Sequence, residues 1–132
     1  MRVSTFGRSV AAIATAGAAL AAVLVHPAAA AGAYECSDEQ ICLYSSHGGA
    51  GEPYSTGSAV PDLAGIFQDK ARSVFNRTSD DWCLYRDENY RGEWKLVTTD
   101  QGENLLAPLD RSVSSLRPEP DAGCGAPGDE IY

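Results

Sequence analysis

The chain has 132 residues, and 18 acidic against 10 basic side chains give it a formal charge of −8. That balance argues against nucleic acid and anionic membrane as partners, because phosphate is held by clustered Lys and Arg. Cationic partners, divalent metal and simple solubility stay open.

Arg2 and Arg8 precede an apolar run over residues 10–25, and His26-Pro27 leads into the small residues 28–33. This is the layout of a secretory signal peptide, so residues 1–31 are expected to be removed on export, with cleavage after Ala30, Ala31 or Ala33 all compatible. An uncleaved anchoring helix is the alternative, but the run falls short of the roughly 20 apolar residues that cross a bilayer. A secreted, extracellular monomer with no membrane partner is expected. Loss of the leader removes two arginines and no acid, which moves the charge from −8 to −10. The remainder divides into one domain, residues 32–118, and a tail, residues 119–132, whose Pro, Gly and acids predict irregular chain tethered through Cys124.

Four cysteines, Cys36, Cys42, Cys83 and Cys124, lie beyond the leader, and an even count in an exported chain of this size reads as two disulfides. A four-cysteine zinc site would need a close Cys-x-x-Cys pair, which is absent from the sequence. Three pairings are open. A repeat favours Cys36 with Cys42 and Cys83 with Cys124: a shift of 41 residues lays Cys42-Leu43-Tyr44 on Cys83-Leu84-Tyr85, Gly51-Glu52 on Gly92-Glu93, Asp69 on Asp110 and Ser73 on Ser114. Cys42 and Cys83 then occupy equivalent strands, and each is left to find its partner in a flanking segment.

Each half reads as short strands. Ile41 and Leu43 alternate with Cys42 and Tyr44, as Trp82 and Leu84 do with Cys83 and Tyr85, a period of two that turns one pair toward a core. Gly48-Gly49 and residues 89–92 are turns, after which Trp94, Leu96 and Val97 resume a strand. Residues 63–67 and 104–109 are candidate third strands, residues 73–77 and 113–117 the fourth, and Pro118 closes the second unit. Eight strands in two groups of four predict an all-β sandwich of two tandem Greek keys, stapled by two disulfides, with no helix. Trp82 and Trp94 fit the strand pattern and are expected in the core; the alternative for both is a carbohydrate platform.

The segment from Tyr85 to Gly92 places an aromatic, four residues, a second aromatic (Tyr90), one residue and a glycine. This spacing resembles the folded-hairpin signature of the βγ-crystallin Greek key, in which a serine near the start of the fourth strand ties the hairpin down. Ser73 and Ser114 stand at that place under the 41-residue shift. In the first unit Gly49 replaces the second aromatic, which predicts a weaker hairpin there. More widely, Cys36-x5-Cys42-Leu-Tyr just after the leader, the segment from Ala71 to Thr78, and Trp82-Cys83-Leu84-Tyr85 resemble small secreted proteins of the Streptomyces metalloproteinase inhibitor family. That resemblance implies a secreted proteinase inhibitor, not an enzyme, with a metalloprotease or serine protease as partner; the inhibitory loop is unknown at this level. The other implied chemistry is calcium, bound in crystallins by two acids or amides, two free positions, a Ser or Thr, and a Ser. The segment from Asp110 to Ser115 fits except for Arg111 at its second place, making Asp110, Ser112 and Ser114 the candidate ligands; a calcium-binding or structural module is the alternative function.

Inhibitory contacts require a preformed loop, because freezing a flexible one costs about 0.5–1.5 kcal/mol per side chain. Residues 55–66, residues 98–106 and the stretch around Cys124 are the candidates. Catalysis finds little footing: His47 is the one histidine after the leader, in a Ser-Ser-His-Gly-Gly turn, and the neighbours Asp80-Asp81 and Asp87-Glu88 read as solvated turn acids. Asn76-Arg77-Thr78 matches a glycosylation acceptor.

Overall fold

The computed structural model describes residue 17 and residues 34–127. Apart from Gly17 the expected leader lies outside the described residues, as do residues 128–132 of the tail. Seven strands are present among the described residues: β1 (Ile41–Tyr44), β2 (Pro53–Thr56), β3 (Ser73–Asn76), β4 (Trp82–Asp87), β5 (Arg91–Val97), β6 (Gly102–Asn104) and β7 (Ser115–Pro118). They build two antiparallel sheets ordered β2-β1-β3-β6 and β5-β4-β7.

Each half keeps three elements in its own sheet and lends its third to the other. β6, from the second half, pairs with β3 of the first. In return Val60 makes an isolated bridge to Leu116 on the free edge of β7, with amide–carbonyl distances of 2.8 and 3.0 Å. This exchange turns two Greek keys into one βγ-crystallin-like sandwich. It also corrects the expected third strands: residues 63–67 and all but Asn104 of 104–109 lie outside any strand, and residues 64–67 and 107–109 are turns. Their core side chains are four apart, Leu63 with Phe67 and Leu105 with Leu109, a spacing that shares one face in a helical turn as it does in a strand. The backbone closes single turns, Phe67 N donating to Leu63 O at 2.9 Å and Asp110 N to Leu106 O at 3.1 Å.

Both turns drop their paired apolar residues between the sheets. There they meet Ile41, Leu43 and Val74 from one sheet and Trp82, Leu84, Val97 and Leu116 from the other. Each such side chain contributes about 1.5–3 kcal/mol when fully buried. The indole N–H of Trp82 donates to Thr78 Oγ1 at 2.9 Å, so the largest core residue leaves no polar atom unpaired.

The outer faces of the central strands are buried as well, and the disulfides are the reason. Cys36–Cys42 pins the N-terminal segment over β1, and Cys83–Cys124 pins the tail over β4, the pairing that the repeat favours. Under the first flap Tyr44 donates to Glu35 O at 2.6 Å. Under the second, Tyr85 donates to Cys124 O at 2.8 Å, while the Arg117 guanidinium lies 5.3 Å from the Tyr85 ring centre and 4.6 Å from that of Tyr90. The two loops these bridges close differ in length, with separations of 6 and 41 residues, so loop entropy gives about 2 and 4 kcal/mol respectively.

The repeat is not uniform along its length. β1 and β2 superimpose on β4 and β5 with the 41-residue step, since Cys42 faces Ser55 and Cys83 faces Leu96. Beyond the hairpins the step becomes 42, because Cys42 faces Phe75 whereas Cys83 faces Arg117. The second unit has therefore gained one residue in the connection, and the serine equivalent to Ser73 is Ser115 rather than Ser114. Ser73 Oγ donates to Ser46 O at 2.6 Å and accepts from Gly49 N at 2.9 Å. Ser115 Oγ donates to Asp87 O at 2.6 Å and accepts from Tyr90 N at 3.0 Å, the same clamp on the second hairpin.

Gly49 does replace the second aromatic of the first hairpin, but the space is filled from outside the repeat. A Cβ on Gly49, whose φ is +74°, would lie 2.7 Å from the Tyr34 ring. That ring sits edge-on to Tyr44 at 5.8 Å and 72°, matching Tyr90 on Tyr85 at 5.8 Å and 62°. Tyr34 is thus the first hairpin's covering aromatic, supplied by the flap that Cys36 fastens.

Candidate functional site

The calcium candidates each have other contacts. Asp110 lies in the turn before β7, where its carboxylate accepts from Arg72 Nε at 3.2 Å and Nη2 at 3.4 Å. Arg72 belongs to the first half and Asp110 to the second, so a guanidinium already joins the units at the carboxylate a cation would need. His47 Nε2 approaches the same oxygen at 3.8 Å, giving the histidine a partner that sequence reading missed because the two are far apart in the chain. Ser112 Oγ donates to the Asp110 carbonyl at 3.4 Å. Ser114 lines a separate depression with Gln68, Asp87, Glu88 and Asn89. A hard cation wants six to eight oxygens, and the guanidinium already paired with Asp110 opposes one at that carboxylate. Among the described residues no group of three or more His, Cys, Asp or Glu is placed to hold a metal ion.

The glycosylation motif and one acid of each acidic pair take structural roles. Asn76 is fully buried, its amide donating to Asp80 O at 2.8 Å and Val97 O at 3.0 Å. Asp81 accepts from Thr99 N at 3.0 Å and holds the β5–β6 connection, while Asp87 packs beneath Gly92, where φ is +79° and a Cβ would lie 2.6 Å from its carboxylate. Two tyrosines have raised pKa values. Burial is the main cause for both Tyr34 and Tyr44; Glu103 adds to it for Tyr34, and Tyr34 and Glu35 add to it for Tyr44.

The three candidate loops are all held at several points. In residues 55–66, Val60 is bridged to β7 and Leu63 is in the core, which leaves Ile66 exposed. In residues 98–106, Asp100 N donates to Asn76 O at 2.8 Å, β6 pairs with β3, and Leu105 N donates to Arg72 O at 2.8 Å before Leu106 emerges. The tail around Cys124 is fixed by its disulfide and by Arg117 Nη2 donating to Ala126 O at 3.1 Å.

Two of these loops end on large hydrophobic residues left in solvent, Ile66 and Leu106; among the described residues Trp94 is a third. Its exposure corrects the expected core position. Trp94 stands opposite Tyr85 in the β4–β5 register, so it shares the outer face of the sheet, and the tail near Gly125 partly covers it. Trp94, Leu106 and Pro108 line one cleft on this side of the molecule.

Comparison with known proteins places this arrangement. Solved structures with the same fold include a βγ-crystallin from Ciona intestinalis, with a TM-score of 0.55 at 21% identity over 61% of this chain and 99% of that one. An archaeal βγ-crystallin matches with a TM-score of 0.51 at 22% identity, over 60% of this chain and 95% of that one. Spherulin 3a from Physarum polycephalum matches with a TM-score of 0.53 at 15% identity, over 74% and 91%. No curated protein matches the chain. The family model of peptidase inhibitor family I36 matches residues 29–97. On that match the chain belongs to peptidase inhibitor family I36, a family of protease inhibitors rather than enzymes, here built on a βγ-crystallin-like sandwich.

Proposed function

We propose that this protein is a secreted inhibitor that binds a metalloprotease through a rigid surface loop and acts as a monomer. Membership of the inhibitor family supports a protease partner. The resemblance of Cys36-x5-Cys42-Leu-Tyr and its companions to the Streptomyces metalloproteinase inhibitors supports the metalloprotease class. Export is supported by the leader pattern of residues 1–31 together with two disulfides, which persist in oxidising surroundings.

The observation that carries the rigid-loop reading is the way each surface loop is anchored on both sides. Leu63 and Phe67 bracket one exposed turn, Leu105 and Leu109 the other, and all four are core residues. A loop held so gives up little entropy on docking and resists being drawn as an extended substrate into a protease cleft. The purified domain, incubated with a thermolysin-like metalloprotease and with a subtilisin-like serine protease, is expected to slow the first at micromolar concentration or below. Slowing of the serine enzyme alone would reassign the target class, and slowing of neither would remove the inhibitor reading.

A further inference from the structure

We infer that the turn from Leu105 to Asp110 is the protease-contacting element, and that Leu106 is the side chain an apolar specificity pocket reads. The inference rests on the inhibitor reading above and adds the contact residue to it. Leu106 is 77% exposed, against 51% for Ile66 in the equivalent turn of the first half. Leu106 projects from a turn whose two ends, Leu105 and Leu109, are held in the core, and it stands beside Trp94 and Pro108 rather than alone, so the exposed apolar surface is contiguous.

The turn presents that side chain without offering its backbone. Leu105 and Leu109 are both in the core, and Leu105 N donates to Arg72 O at 2.8 Å. The Leu106 carbonyl accepts from Leu109 N at 2.9 Å and Asp110 N at 3.1 Å, so its lone pairs are spent inside the turn. Asp110 is in turn clamped by Arg72 at 3.2 Å. A protease needs an extended segment whose scissile carbonyl is free to be polarised. Here the bond before Leu106 begins at a buried residue, and the bond after it carries an engaged carbonyl and is followed by Pro108, which has no amide hydrogen to donate. The side chain can fill a pocket while hydrolysis stalls.

The surroundings suit the same partner. Trp94 and Pro108 border the cleft beside Leu106, which widens the apolar contact, and the Lys95–Glu103 ion pair at 3.0 Å gives it a polar rim. An apolar anchor within a polar rim is the usual composition of a protein contact. Exposure makes Leu106 a clean site to test, because substitution there removes no internal packing.

The test compares wild type, L106A, L106D and the control I66D against thermolysin and subtilisin, with thermal melts confirming that each variant folds. We expect inhibition weakened about 10- to 100-fold in L106A and abolished in L106D, with I66D unchanged, as loss of one buried leucine contact implies. Mass spectrometry of wild type after prolonged incubation is expected to find the bonds on either side of Leu106 intact. Inhibition retained by L106D while wild type inhibits overturns the loop assignment alone. Absence of inhibition by wild type overturns the inhibitor reading and this assignment with it.

Discussion

Replacing Tyr34 by alanine isolates the least obvious contact in the fold, an aromatic from outside the repeat that completes the first hairpin. The ring stacks on Phe75 at 5.7 Å and 25°, meets Tyr44 edge-on at 5.8 Å, and covers Gly49 and Gly102, whose Cβ positions would fall within 2.7 and 2.9 Å of it. Two aromatic pairs are worth about 0.5–1.5 kcal/mol each beyond area burial. Truncation of a fully buried aromatic costs about 3–5 kcal/mol, and Tyr34 is only half-buried, so about 2–3 kcal/mol is the reasonable loss for Y34A. At about 4–8 °C per kcal/mol for a domain of this size, the melting temperature should fall by about 10–20 °C. Urea and thermal unfolding of the disulfide-intact domain measure this directly, and Cys36–Cys42 keeps the flap tethered so that packing alone is tested. Y34F should behave as wild type, and Y90A should show a loss of the same order. A Y34A variant within about 0.5 kcal/mol of wild type, the range of ordinary surface changes, would refute the idea that Tyr34 stands in for the missing hairpin aromatic.

Three further outcomes follow from contacts already described. S115A orphans the buried Tyr90 amide and should cost about 1–3 kcal/mol with faster amide exchange across the second hairpin, whereas S114A should not; equal costs would restore the 41-residue register. At alkaline pH the raised pKa values of Tyr34 and Tyr44 mean the folded state holds these protons more tightly than the unfolded chain. Their contribution is therefore complete below the ordinary tyrosine value of about 10 and declines as pH rises past it, so urea stability should drop above that pH and drop less in Y44F. Thermal melts in millimolar calcium and in chelator should coincide, because Arg72 already neutralises Asp110; a melt raised by calcium would contradict the geometry of that pair.

Much of the architecture is legible in the chain because duplication leaves a periodic trace. Cys42-Leu43-Tyr44 over Cys83-Leu84-Tyr85 locates the two central strands, and equivalence of the two cysteines is enough to favour the observed bridges. What escapes a gapless comparison is the residue inserted after the second hairpin, which moves the clamp from Ser114 to Ser115. The third strands are not legible because Leu63-Phe67 and Leu105-Leu109 share one face at a spacing of four whether the segment is a strand or a helical turn, and only the backbone hydrogen bonds decide between them. Tyr34 lies outside the repeat, so no internal comparison reaches it. Trp94 looks like core by composition; its exposure depends on which face of an edge strand it takes, and pairing with Tyr85 decides that. The Leu106 turn has one sequence signal that could have been read. Adjacent leucines in a tight turn cannot both face inward, so one of Leu105 and Leu106 must point to solvent.

Residual protease activity against oxidised and against reduced, alkylated inhibitor tests the central claim most directly, since the claim is that disulfide-fastened sandwich geometry, and not mere chain composition, blocks the enzyme. The oxidised domain is expected to inhibit stoichiometrically and remain intact, and the reduced chain to be digested without inhibiting. Equal behaviour of the two forms, or no slowing by the oxidised form at micromolar concentration, would contradict it.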